Sequence, residues 1–270
     1  MKLFLKLCKL RAKSLTIKNI IMLIIESILK TLEKKGAGYF VLVDPDKLSA
    51  EKIPNFLKKA YDAGVDAILI GGSLIISGEF EEFVKQVKSS SNGIPVILFP
   101  GGVNQISPSA DAMLFLSLIS GREAQHLIGS QVLAAPMVYK AGIEAISTAY
   151  ILIDSGRPTS AQYMSGTTPI PRNKPDIAVA HALAAKYLGF KFIYLEAGSG
   201  AENSVPEELI YAVSKTVDLP LIVGGGIVSP ETARKKVEAG ASFVVTGTIH
   251  ENSSEDGLLK KFADAIHVKM

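Results

Sequence analysis

Three apolar runs in the C-terminal half of the chain end in glycine-bearing turns. Phe192-Ile193-Tyr194-Leu195-Glu196 runs into Ala197-Gly198-Ser199-Gly200, Leu221-Ile222-Val223 into Gly224-Gly225-Gly226, and Phe243-Val244-Val245 into Thr246-Gly247-Thr248. Short, near-continuous apolar runs are the pattern of strands covered on both faces, as in parallel sheets. The segments after them have helical character: residues 206–217, residues 230–239 with Pro230 suited to a first turn, and an amphipathic stretch over residues 255–266. A strand, a tight exit loop and a helix, repeated in that order, leave few architectures open.

The preceding chain carries the same unit. Apolar residues 39–43 end in Asp44-Pro45-Asp46-Lys47, residues 67–70 in Gly71-Gly72-Ser73, and residues 95–99 in Pro100-Gly101-Gly102. Residues 112–116 and 146–153 supply two further strands, and helices are expected over residues 51–63, 79–88, 122–130 and 176–188. Residues 103–111 include Pro108, show no helical periodicity and are too few for a full helix. Residues 157–175, rich in Ser, Thr, Pro and Gly, read as a long loop of the kind that serves as a lid or binding segment. Eight strands alternating with helices imply an α/β fold, a modified TIM (β/α)8 barrel without a regular helix between strands three and four. A doubly wound open sheet is the rival, but it needs neither eight strands nor paired phosphate-type loops after the last two. Residues 36–270 form the single barrel domain, and residues 1–35 a basic and apolar N-terminal extension with a lead-in helix.

A length of 270 residues suits one such barrel, and 48% hydrophobic with 20% charged residues is ordinary for a soluble globular protein. The single cysteine, Cys8, excludes an intramolecular disulfide and fits a reducing, cytoplasmic setting. The net charge of +3 is local: nine of the 29 Lys and Arg but two of the 26 acids lie in residues 2–35, so the remainder is net −4. No basic cluster is interleaved with aromatics, which argues against nucleic-acid binding. The greasiest N-terminal run, residues 20–25, is far shorter than the roughly 20 residues a spanning helix needs. The extension reads as an extra helix or leader, with a membrane-surface anchor as the alternative.

In a barrel all strand exits face one way, so Asp44, Ser73, Glu196, Gly225 and Gly247 converge there. Glycines after strands seven and eight let backbone N–H groups approach an anion closely, and Ser199 between Gly198 and Gly200 adds a donor, so a phosphate is the expected guest. Alternation places Tyr194 and Glu196 on the inward face. There the carboxylate can act as general base toward a substrate hydroxyl, the phenol orienting it; a buried Glu paired with Lys or Arg is the structural alternative. Asp44, with Ser73 at the neighbouring exit, suits Mg2+, which favours one or two carboxylates completed by water and phosphate oxygens; a turn cap is the simpler reading of the same aspartate. His126, His181 and His250 show no metal-ligand spacing.

Together, Val43-Asp44-Pro45-Asp46-Lys47, Ile70-Gly71-Gly72-Ser73, Tyr194 through Gly200, Val223-Gly224-Gly225-Gly226-Ile227 and Thr246-Gly247-Thr248 resemble the geranylgeranylglyceryl phosphate synthase family. The resemblance covers the chain from about Gly36 onward and includes the short connection between strands three and four. It implies that Asp44 and Ser73 are Mg2+ ligands, and that Tyr194, Leu195, Glu196, Ala197, Gly198, Ser199, Gly200, Gly225, Gly226, Gly247 and Thr248 bind sn-glycerol 1-phosphate, with Glu196 and Tyr194 catalytic. The implied reaction joins the C20 chain of geranylgeranyl diphosphate to the 3-hydroxyl of that acceptor, forming the first ether bond of archaeal membrane lipids. It also implies a homo-oligomer; contact with the membrane periphery is read instead from the basic, apolar extension, which lies outside what the family pattern requires. Bacterial members of the family use longer donors, so donor length is an expectation. Another phosphate-binding barrel, an isomerase or lyase, and a non-catalytic phospho-ligand module are the alternatives.

Overall fold

The computed structural model describes residues 23–76, 78–247, 249 and 257–269. Eight parallel strands close into a barrel in chain order: β1 (Gly38–Val43), β2 (Ala67–Ile70), β3 (Val96–Leu98), β4 (Ala112–Leu118), β5 (Glu144–Leu152), β6 (Phe192–Glu196), β7 (Leu221–Gly224) and β8 (Phe243–Thr246). Closure comes from β1 pairing with β8, Gly38 opposite Phe243 and Val41 opposite Thr246. Because successive side chains alternate, each strand feeds two cores. Phe40, Leu69, Ile97, Leu114, Tyr194 and Phe243 belong to the inner one, whereas Val41, Ile68, Val96, Ile193 and Leu195 pack with the helices. Phe243 stacks on Phe40 at 4.7 Å between ring centroids and meets Phe192 edge-on at 5.8 Å.

The lead-in helix α1 (Ile24–Lys35) packs Ile24, Ile25, Ile28, Leu29 and Leu32 against this inner core, so it closes the end of the barrel opposite the strand exits. No side chain of its own caps its first turn. Glu144, the first residue of β5, does so from 120 residues away: its carboxylate accepts the Ile24 N–H at 2.6 Å and the Ile25 N–H at 3.3 Å. A carboxylate there satisfies orphan N–H groups and complements the helix dipole.

The outer helices α2 (Ile53–Ala63), α3 (Phe80–Ser90), α4 (Ser130–Ala141), α5 (Ser160–Ser165), α6 (Pro175–Tyr187), α7 (Glu207–Thr216), α8 (Pro230–Glu238) and α9 (Leu258–Ile266) follow. No helix lies between β3 and β4, as the residues there imply. Two expectations are corrected. The helix expected over residues 122–130 is instead a π-helical turn, Gln125–Gly129, leading into α4 with Pro136 inside it. Proline argues against a helix interior, and Val132, Leu133 and Tyr139 on its exposed surface erase the apolar stripe by which a helix is read. The expected long loop over residues 157–175 contains α5, capped by Thr159, and Ile170 bridges back to Ile153.

Glu144→Ala should lower stability by about 1–2 kcal/mol, the usual range for losing an N-cap. Urea unfolding monitored by circular dichroism measures it, and an unchanged midpoint would show that the cap contributes nothing.

Candidate active site

The strand exits surround a cavity of about 840 Å³, lined among others by Asp44, Ser73, Glu196, Gly225 and Gly247. That size suits a small-molecule or lipid-chain substrate. Glu196 ends β6, opposite Leu152 of β5 and Gly224 of β7, and is 5% exposed. Its Oε1 accepts the Gly198 N–H at 2.5 Å, and the Tyr194 hydroxyl donates to the same carboxylate. Tyr194 is itself held by stacking on Phe99, with centroids 4.9 Å apart, and by Tyr150 at 5.4 Å.

Burial pushes the Glu196 carboxyl up to about 7, against the opposing pull of its bonds from Gly198 and Tyr194. Burial, and then the charge of Glu196, raise the phenols of Tyr194 and Tyr150 well above the ordinary range. At neutral pH the phenols therefore remain donors while the carboxyl is divided between its two forms. A base poised near the working pH is the best placed to take a proton.

Gly225 explains why the carboxylate is held so closely. Its φ is +83°, and a Cβ there would lie 2.3 Å from Glu196 Oε1 and 2.5 Å from the Gly198 nitrogen. Any side chain at this position displaces the acid. Ser199, Gly200, Gly226 and Gly247 continue this wall of the cavity.

The loop after β6 is braced by cations, Arg157 from within the cavity and the others from behind. Arg157 donates to the Gly200 carbonyl. Arg172 reaches the Ser204 carbonyl at 2.8 Å, and the buried Lys236 binds the Val205 carbonyl at 2.7 Å and Glu207 at 2.6 Å. Arg157 and Arg172 add positive charge around the glycine loops, whereas the charge of Lys236 is offset by Glu207. In sequence they lie on separate segments, Lys236 at the end of the run Arg234-Lys235-Lys236, with no spacing that signals a site.

On the opposite wall Asp44 is both things its sequence allows. Its Oδ1 accepts the Asp46 N–H at 3.0 Å, closing its own turn, with Lys47 Nζ 3.5 Å from Oδ2, yet the carboxylate still lines the cavity beside Ser73. Leu195 and Ala197 are buried in the layer between strands and helices, so their side chains do not face the cavity. The Gly198 N–H is committed to Glu196 and the Ala197 N–H to the Gly224 carbonyl at 3.1 Å. Thr248 lies outside the described residues. A third wall is apolar: Ile106, Met113, Phe115 and Leu118 with Ala134 of α4 and Met164 of α5. The cavity thus joins a glycine-lined wall, a carboxylate–hydroxyl wall and a greasy wall.

The model of the PcrB family matches residues 29–266. The chain belongs to the PcrB family. Curated PcrB-type relatives include the geranylgeranylglyceryl phosphate synthase of Chitinophaga pinensis, 46% identical over 87% of this chain and 94% of that protein. The synthase of Korarchaeum cryptofilum is 45% identical over 81% and 88%. Among solved structures, (S)-3-O-geranylgeranylglyceryl phosphate synthase from Thermoplasma acidophilum, in complex with its substrate sn-glycerol-1-phosphate, superposes with a TM-score of 0.83 at 34% identity, covering 92% of this chain and 99% of that one. The family resemblance carried by the strand-exit motifs therefore holds, and these PcrB-type relatives are enzymes.

A carbon-13 titration of glutamate side chains should show one carboxyl with a midpoint of about 7, absent in Glu196→Gln. If every carboxyl titrates near the ordinary ~4.3, burial does not poise this residue.

Proposed function

We propose that the protein transfers the C20 chain of geranylgeranyl diphosphate to the 3-hydroxyl of sn-glycerol 1-phosphate. The observation that carries this reading is the meeting in one cavity of a raised, phenol-supported carboxyl, a glycine-lined wall and an apolar wall. Relatives at about 46% identity bear the synthase name, and the Thermoplasma acidophilum relative binds sn-glycerol-1-phosphate.

The acceptor phosphate sits against Ser199, Gly200, Gly225, Gly226 and Gly247, with Arg157 and Arg172 adding favourable potential. This places the far hydroxyl at Glu196, where Tyr194 fixes the carboxylate. The hydroxyl oxygen attacks C1 of the allylic donor, the C1–O bond to diphosphate breaks, and Glu196 receives the hydroxyl proton. The apolar wall of Ile106, Phe115 and Met164 holds the prenyl chain and excludes water, so that the glycerol hydroxyl is the nucleophile.

Asp44 and Ser73 fit Mg2+. One carboxylate with one hydroxyl is the sparse set that this ion completes with water and phosphate oxygens. Among the described residues no group of three or more His, Cys, Asp or Glu offers an all-protein cage. When bound, the ion supplies neutralisation of the departing diphosphate.

Among the described residues no helix is long and apolar enough to cross a membrane. We place the protein in the cytoplasm, meeting the membrane at its periphery, where its donor and product partition. Self-association is part of the same proposal. Helix α4 turns a largely apolar surface outward, with Val132 62%, Leu133 61% and Tyr139 72% exposed. Helices of that kind are normally covered, and a second copy of the chain is the occupant that a self-complementary apolar face fits.

Incubation with labelled sn-glycerol 1-phosphate, Mg2+ and geranylgeranyl diphosphate should give an ether-linked product; none with any prenyl length would sink the proposal. Glu196→Gln should lower kcat by about 10²–10⁴, and Asp44→Ala should abolish the Mg2+ requirement together with most turnover. Full activity in either variant removes that residue from the mechanism. In sedimentation, Leu133→Asp should shift an oligomer to monomer, and a monomeric parent protein would refute the interface.

A further inference from the structure

The connection between β3 and β4 has given up its helix, and one residue within it is tied into the mouth of the barrel. Gln105 is 2% exposed and its backbone N–H is already bound to the Gly102 carbonyl. Its side-chain amide joins two strand exits. Oε1 accepts the Gly101 N–H at 3.0 Å and the Gly72 N–H at 3.4 Å, while Nε2 donates to the Gly72 carbonyl at 2.8 Å. The last two bonds span 33 residues of sequence.

Both residues that Gln105 holds abut the proposed metal wall. The position of a Cβ on Gly72 lies 3.4 Å from Asp44 Oδ1 and 3.5 Å from Oδ2, so this backbone is the surface against which the carboxylate rests. A Cβ on Gly101 would lie 2.3 Å from the Gly72 carbonyl and 3.1 Å from Ser73 Cα, so the exits of β2 and β3 nest where a side chain does not fit. With no helix after β3 to anchor its exit, the buried amide of Gln105 performs that task. A buried polar group with several satisfied bonds is fixed in orientation, and it fixes what it binds.

We propose that Gln105 is a positioning residue for the Mg2+–diphosphate half of the site, setting the placement of Ser73 and of the Gly72 backbone against Asp44. The proposal rests on the reading of Asp44 and Ser73 as the metal-binding pair. It separates the two halves of the mouth: the described hydrogen bonds of the Gln105 amide reach Gly72 and Gly101, and none reaches Glu196 or the glycine loops of β6, β7 and β8. Only an amide supplies an acceptor for two N–H groups and a donor for the Gly72 carbonyl from one planar head. Glutamate at this position keeps the acceptor, and methionine keeps neither.

The test is calorimetric titration of the full-length protein with inorganic diphosphate in Mg2+ and, separately, with sn-glycerol 1-phosphate. Gln105→Met should weaken Mg2+-dependent diphosphate binding by about tenfold to a hundredfold, the usual effect of removing a group that orients a metal ligand. It should leave glycerol phosphate binding within about twofold, since that wall is independent. Gln105→Glu should fall between Gln105→Met and the parent protein. Parent-like diphosphate binding in Gln105→Met, or equal losses for both ligands, overturns the proposal. If Gln105→Met does not fold, Gln105→Glu decides: weakened diphosphate binding supports the role and unchanged binding overturns it. Failure of the underlying metal reading looks different, because then Asp44→Ala binds diphosphate as the parent protein does, or the parent shows no Mg2+-dependent binding at all.

Discussion

The burial of one carboxylate at the end of β6 is the constraint on which the site depends. Glu196 is enclosed enough for its carboxyl to be pushed up to about 7, yet it keeps two donors, the Gly198 N–H and the Tyr194 hydroxyl. Burial without those donors would leave the acid neutral and useless as a base; the donors without burial would leave it fully ionised and weakly basic. The packing around it follows from this balance. Gly225 must lack a side chain, and Tyr194 must be held by Phe99 and Tyr150 so that its hydroxyl stays on the carboxylate. The arrangement costs stability. A carboxyl whose folded pKa is raised favours the fold while it is protonated, below the unfolded value of about 4.3, and loses that contribution as pH rises through about 7. At neutral pH the fold therefore carries part of this cost.

The rest of the barrel distributes tasks around that residue. The glycine exits of β6, β7 and β8 form one wall, stiffened from behind by Arg172 and by Lys236, whose buried ammonium is bound to Val205 and Glu207. Across the mouth, Asp44 and Ser73 stand on exits that Gln105 ties together. The third side belongs to apolar residues of β4, α4 and α5. The far end of the barrel has no chemistry to do and is sealed by α1, whose first turn is capped by Glu144.

Much of this was readable from residues alone, for identifiable reasons. Strands covered on both faces appear as short apolar runs, so all eight are legible, and strict alternation puts Tyr194 and Glu196 on one face of β6. The absence of a helix between β3 and β4 followed from Pro108 and from the shortness of the stretch. Helix α4 is not legible in the sequence because its outer face carries Val132, Leu133 and Tyr139 instead of polar residues, and because Pro136 lies within it. The poise of Glu196 was invisible because it arises from enclosure by segments distant in sequence. Gln105, Arg172 and Lys236 were invisible for a related reason: each acts on backbone carbonyls or amides far along the chain, and such bonds leave no spacing to read.

The most direct test of the central claim is the pH dependence of kcat/KM for sn-glycerol 1-phosphate, measured from about pH 5 to about pH 9 in the parent protein and in Glu196→Gln. The account predicts an acid limb in the parent with a midpoint of about 7, and loss of that limb in the variant. A flat profile in the parent, or the same limb persisting in Glu196→Gln, would contradict it.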